Sequence, residues 1–130
     1  MKKILLILLL LLMLSGCTNA VPSNEAGSYR RITTQEAMEM MNRETNYIIL
    51  DVRTQAEYDA GHIPDAVLVP NETIGTEEIS QLPDKDQLIM VYCRSGNRSK
   101  QASEKLVKLG YTNIVEFGGI NSWTGEITAD

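Results

Sequence analysis

Cys93-Arg94-Ser95-Gly96-Asn97-Arg98 sets one sulfur nucleophile and two guanidinium groups within six consecutive residues. The chemistry open to that grouping is nucleophilic, because the thiolate is the attacking form of cysteine and nearby positive charge favours it. The short or polar residues between Cys93 and Arg98 let the chain curl, so that successive backbone N–H groups turn inward as an anion-binding nest. Gly96 can take the positive φ that a tight curl needs. The competing reading is a buried structural cysteine, since free cysteine is among the most buried residue types. Two arginines and a helix start beside the thiol argue for an active site instead.

The flanking elements must hold that curl in place. Leu88-Ile89-Met90-Val91-Tyr92 reads as a buried strand, bounded upstream by Pro83-Asp84. From Ser99 to Leu109 the apolar positions Ala102, Leu106 and Leu109 recur at helical spacing, and Gly110 follows as a stop. The thiol then sits where a strand ends and a helix begins, and the helix N-terminus adds partial positive charge.

The remaining pattern supplies the scaffold. Thr33 to Glu36 has capping-box spacing and predicts a helix to about Asn42, with Ala37, Met38 and Met41 inward. Tyr47 to Val52 is a nearly continuous apolar run, as in a strand covered on both faces. Thr54 to Glu57 repeats the capping-box spacing and opens a short helix ending near Ala60-Gly61. Ala66 to Val69 predicts a third strand closed by Pro70, Glu77 to Leu82 a helical turn with Ile79 and Leu82 inward, and Ile114 to Phe117 a last strand. Alternating strands and helices predict an α/β domain with a central, mainly parallel sheet and helices on both faces. Ligands of such sheets bind beyond the carboxyl ends of the strands, where both Cys93 and the Asp51-Val52-Arg53 segment fall.

The loop Cys93 to Ser99 resembles the active-site loop of the rhodanese-like sulfurtransferases, which carry sulfur as a cysteine persulfide. Asp51-Val52-Arg53 with Glu57-Tyr58, then Gly61-His62-Ile63-Pro64, then Gly118-Gly119-Ile120-Asn121-Ser122-Trp123 resemble further family motifs, in the family's order, from about Arg31 to Trp123. Asp65 departs from the pattern, standing where the family usually has glycine. The resemblance implies a single rhodanese-like domain in which Cys93 takes sulfane sulfur from a donor such as thiosulfate. A thiol or cyanide then accepts it, and the reaction needs no cofactor. Backbone N–H groups of Arg94 to Arg98 would cradle the anionic sulfur. The alternative is a sulfur-carrier or binding module of the cell envelope that does not turn over by itself. In thiolate phosphatases with a related loop the arginine stands one residue further from the cysteine than Arg98 does here. The shorter loop suits a single sulfur atom better than a phosphate, which needs contacts to three equatorial oxygens.

Other residues carry lesser expectations. Asp51 and Arg53 either orient the loop or pair with each other. Glu57 is read as a helix cap and His62 as a hydrogen-bonded structural residue. Trp123 either packs over the loop or closes the end of the domain. Arg94 and Asn97 lie at the rim to meet a donor, while Arg98 folds back to brace the loop.

Lys2 and Lys3 followed by the apolar run Ile4 to Leu14 read as a secretory signal peptide, too short to span a bilayer comfortably. Leu14-Ser15-Gly16-Cys17 resembles a bacterial lipobox, which implies cleavage before Cys17 and lipid on its sulfur. The expected organisation is a leader over 1–16, lipidated Cys17 and a flexible tether over 17–28, and the folded domain over 29–130. Thr18 to Ser28 are small and polar, interrupted by Pro22 and Gly27, as a tether should be. The domain would face the outside of a bacterial membrane, held by lipid. Thr18 is not the aspartate that retains lipoproteins at an inner membrane, so a two-membrane cell would carry it on the outer one. With Cys17 lipidated, Cys93 is the one remaining thiol of two, so no internal disulfide or resolving cysteine is available. Loss of the leader changes the net charge from −5 to −7, with ten basic against seventeen acidic residues, which disfavours a nucleic-acid partner. One histidine and no second free cysteine leave no metal-ligand cluster.

Overall fold

The computed structural model describes residues 27–130. The leader, Cys17 and nearly all of the tether lie outside the described residues. Five parallel strands form one sheet in the order β1-β5-β4-β2-β3. The three inner strands, β2 (Tyr47–Asp51), β4 (Leu88–Cys93) and β5 (Ile114–Gly119), come from the apolar runs and are largely buried. The edge strands β1 (Arg30–Arg31) and β3 (Val67–Leu68) have two residues each. The expected strand Ala66 to Val69 therefore shrinks to its centre, and β1 carries no apolar signature at all.

Helices α1 (Thr34–Arg43) and α2 (Gln55–Ala60) each start from a complete capping box, with Thr33 and Thr54 as caps. Helix α3 (Asn97–Lys108) begins two residues earlier than the apolar spacing suggests, so Asn97 and Arg98 belong to its first turn. On the α1 side the phase differs from expectation: Ala37 and Met40 are buried, while Met38 and Met41 flank them half-buried. Residues three apart share a helix face, and Ala37 with Met40 is the pair that meets the sheet. Ile79 and Leu82 are buried as expected, yet Glu77 to Leu82 forms no helix. One hydrogen bond, Leu82 N–H to the Ile79 carbonyl at 2.9 Å, closes a turn there. So short a segment gains little from helix, because nucleation costs more than one bond returns.

Alternation along β4 decides what each side chain can do. Ile89, Val91 and Cys93 join the α3-side core with Leu50, Val52, Ala102 and Leu106, whereas Met90 and Tyr92 join the α1-side core with Phe117. Cys93 thus faces the start of α3. The pairing of β4 with β5 slips at this point, from Val91 opposite Glu116 to Cys93 opposite Gly119. Such an irregularity re-aims the strand end beside the loop.

Candidate active site

Cys93 closes β4 with only 1% of its surface exposed. The chain then curls through Arg94, Ser95 and Gly96, and Gly96 takes φ +113° as it enters α3. No side chain caps α3. The sulfur occupies that place: Gly96 N–H donates to Cys93 Sγ at 3.0 Å, and the Ser99 hydroxyl lies 3.4 Å away. Burial, the largest influence, pushes the Cys93 thiol up. Hydrogen bonding with the Ser99 hydroxyl and hydrogen bonds from the backbone N–H groups of Ser99, Gly96 and Ser95 outweigh it, and the net result lies below the ordinary thiol value. The donors gather from Ser95 to Ser99, one step further along than the sequence reading placed them.

The loop is held from two sides. A Cβ on Gly119 would fall 2.0 Å from the Arg94 carbonyl oxygen, so only glycine lets β5 approach the loop this closely. Asn121 N–H then donates to that same carbonyl at 3.2 Å. On the other side Arg98 reaches out of α3 to Glu57 on α2, with Nη1 to Oε2 at 2.7 Å and Nη2 to Oε1 at 2.9 Å. Arg98 therefore does fold back. Glu57 does more than cap: the same carboxylate accepts Thr54 N–H at 3.0 Å and binds the guanidinium. Hydrogen bonding to Arg98 is the main reason its carboxyl lies well below the usual range, with burial opposing and Thr54 assisting.

Beneath the loop Asp51 and Arg53 pair with each other. Arg53 Nη2 and Nε meet Asp51 Oδ2 and Oδ1 at 2.7 and 3.0 Å, both side chains being almost wholly buried. Tyr92 Oη donates to Asp51 Oδ2 at 2.6 Å and accepts Ile63 N–H at 3.2 Å, while Arg53 Nη2 also donates to the Gly61 carbonyl at 2.7 Å. Burial, then the Asp51 carboxylate, hold the Tyr92 phenol well above its ordinary value, so it remains a donor. One network thus ties β2, β4 and the turn at 61–63. His62 stacks on Tyr58 and its Nδ1 lies 2.8 Å from the Tyr58 carbonyl, while its backbone bridges Thr128. Asp65 takes φ +65°, the left-handed conformation that explains glycine's usual place at this turn.

Trp123 packs against Phe117 on the α1 side, its ring centre 5.9 Å away, and its Nε1–H donates to the Glu126 carbonyl at 3.1 Å. The indole thus belongs to the α1-side core, the opposite face of the sheet from the Cys93 side chain. Arg94, Ser95 and Asn97 are exposed at the rim. Arg94 borders an open cavity of about 260 Å³ together with Arg53, Glu57, Gly61, Ile120 and Asn121. A roomier cleft of about 370 Å³ lies at the amino-terminal end of the strands, at the opposite end of β4 from Cys93. Among the described residues no group of three or more His, Cys, Asp or Glu is placed to hold a metal ion. Residue order assigned no role to four buried polar residues, Asn71, Ser99, Ser103 and Glu116, of which Ser99 and Glu116 lie at the loop. The available signal was an acidic residue inside an apolar run, just before a glycine pair.

Residues 33–126 match the family described as the rhodanese-like domain, and the chain belongs to that family. Residues 1–18 match the prokaryotic membrane lipoprotein lipid attachment site, which makes the chain a lipoprotein with a signal peptide and a membrane anchor. The chain is 42% identical over 77 residues to a sulfurtransferase of Allochromatium vinosum, covering 58% of this chain and 70% of that protein. It is 34% identical over 71 residues to the thiosulfate sulfurtransferase PspE of Escherichia coli, covering 55% and 68% respectively. A solved structure of a rhodanese with anions from E. coli aligns with a TM-score of 0.59 at 30% identity, covering 65% of this chain and 99% of that one. These relatives support sulfur transfer as the general activity.

Proposed function

We propose that Cys93 carries sulfane sulfur as a persulfide, taken from a donor such as thiosulfate and passed to a thiol, or to cyanide in an assay. The Cys93 thiolate attacks the outer sulfur of the donor. A new S–S bond forms as the donor's own S–S bond breaks, and the electron pair leaves on sulfite when the donor is thiosulfate. The acceptor then attacks the outer sulfur of the persulfide and regenerates the Cys93 thiolate. Inward N–H groups at the start of α3 stabilise the terminal sulfur as charge builds on it. The observation that carries this reading is the Gly96 N–H aimed at Cys93 Sγ at 3.0 Å. Arg94 is the cation at the rim that first meets an anionic donor, whereas Arg98 and Arg53 are already engaged by Glu57 and Asp51. The rest of the chain acts through the loop.

The test is mass spectrometry of the purified full chain after exposure to thiosulfate or polysulfide, alongside sulfur transfer to cyanide. One added sulfur on Cys93 with turnover, and loss of both in Cys93→Ala, is expected. Added sulfur with negligible turnover would point to a carrier. No added sulfur from any donor, or equal transfer by Cys93→Ala, would overturn the assignment.

For the N-terminus we propose that Cys17 receives the lipid and that the domain works outside the cytoplasm. Two or more acyl chains give stable anchoring where one is marginal. Labelled palmitate should appear on the wild type and disappear in Cys17→Ala, leaving unprocessed precursor. Label surviving that change would end the proposal.

A further inference from the structure

Glu116 lies in β5 with 1% exposure, a buried carboxylate that the transfer chemistry above leaves unused. Its Oε1 accepts the Ser99 hydroxyl at 2.6 Å and Gly118 N–H at 2.9 Å, and its Oε2 accepts Arg31 Nε at 3.2 Å. The Ser99 oxygen is also 3.4 Å from Cys93 Sγ, 2.9 Å from the Gly96 carbonyl and 3.2 Å from the Gly118 carbonyl. A hydroxyl has a single hydrogen. The shortest and most strongly charged partner is Glu116, and charge-assisted bonds are the strong ones. With its hydrogen there, Ser99 turns a lone pair toward the sulfur and accepts from the thiol.

We propose that Glu116 is the internal base for Cys93, taking the thiol proton through the Ser99 hydroxyl. The Cys93 S–H bond breaks as its proton passes to the Ser99 oxygen, and the Ser99 O–H proton passes to Glu116 Oε1. The electron pair left on sulfur is the thiolate. The hydrogen bonds then reverse: Glu116 donates to Ser99, and Ser99 donates to the sulfur. One negative charge moves from carboxylate to sulfur, and the net charge of the buried chain is unchanged. Without the transfer, thiolate and carboxylate would stand as two anions on either side of one hydroxyl, an arrangement a buried site opposes. The other charged and titratable groups around the chain are Arg31 on β1, against Glu116, and Tyr29 just before it, whose phenol is raised by burial, Glu104 and Glu116 in that order. Arg98 on α3 faces Cys93 electrostatically and is held by Glu57. The inference rests on Cys93 as the sulfur-carrying residue and deepens that reading.

Alkylation of Cys93 by iodoacetamide, followed peptide by peptide across pH on the full chain, reads the thiolate directly. A shared proton gives a two-step profile, with a low plateau while one negative charge is shared and a rise when the second proton leaves. Glu116→Gln keeps an acceptor for Ser99 and Gly118 but takes no proton, and Ser99→Ala breaks the chain. Each is expected to collapse the profile to one step and to slow alkylation near about pH 6 by about tenfold, the effect of one pKa unit. If circular dichroism shows that Glu116→Gln has not folded, Ser99→Ala decides alone. A single step in the wild type, or a plateau that survives in the folded variants, overturns the relay. Persulfide formation is measured on the same wild-type sample. Persulfide without the two-step profile removes the relay and leaves sulfur transfer standing; the two-step profile without persulfide from any donor does the reverse.

Discussion

Asp51–Arg53 and Glu57–Arg98 are both two-point arginine–carboxylate pairs at the carboxyl end of one sheet, but their surroundings differ. The first is sealed, with side-chain exposures of 0% and 6%, and it shares its carboxylate with Tyr92. The second is about a quarter exposed on each partner and joins two helices across the mouth of the loop. A sealed pair loses most when one member is removed, because the survivor is left as an uncompensated buried charge. A pair that water can reach is worth little to stability and mainly sets a geometry. The same chemistry therefore serves as foundation in one place and as an adjustable brace in the other.

Asp51→Ala presses hardest on that contrast. It should lower the unfolding free energy by about 3–5 kcal/mol, read from urea denaturation, because Arg53 is then buried without a counter-ion. A loss no larger than that of the Glu57 variant would erase the distinction between the pairs. Tyr92→Phe sharpens it by leaving the ion pair intact while removing one donor to Asp51 and the acceptor of Ile63 N–H. A loss of about 1–3 kcal/mol is expected, the cost of a buried group left unpaired. Glu57→Gln can retain the capping box, which accepts glutamine as well as glutamate, and so isolates the bond to Arg98. Its stability should fall by no more than about 1 kcal/mol, while sulfur transfer slows by a larger factor because the loop loses its brace. A stability loss that accounts for the whole drop in activity would contradict the brace.

The smallest effect is in pH. Arg98 holds the Glu57 carboxyl below its ordinary value of 4.5, so folding gains from the ionised pair above that value. The gain disappears as pH falls from there through the lowered folded value. The stability difference between wild type and Glu57→Gln should thus be flat near neutrality and shrink below about pH 4.5. A difference that grows on acidification would reverse the sign.

Much of the site was legible in residue order. The loop from Cys93 to Arg98, the glycine that must turn it, the apolar runs of the inner strands and both capping boxes are local patterns, and local sterics and hydrogen bonding produce them. The edge strand β1 was not legible, and β3 was read two residues too long, because two-residue strands have no periodicity to read and are bounded by their pairing with β5 and β2. Likewise nothing local distinguishes Ser99 from any polar residue of a helix, or tells which face of β5 Glu116 takes. Those depend on β5 pairing beside β4 with Glu116 opposite Val91, which sets Glu116, Ser99 and Cys93 in one buried line. The sequence alone determined the thiol at the strand end, the tightness of its loop and the fold class, since each follows from neighbours along the chain. Tertiary structure alone decided which carboxylate meets which cation and what lies behind the sulfur, because those partners are 41 residues apart for Glu57 and Arg98 and 17 for Ser99 and Glu116, and only packing across the sheet brings them together.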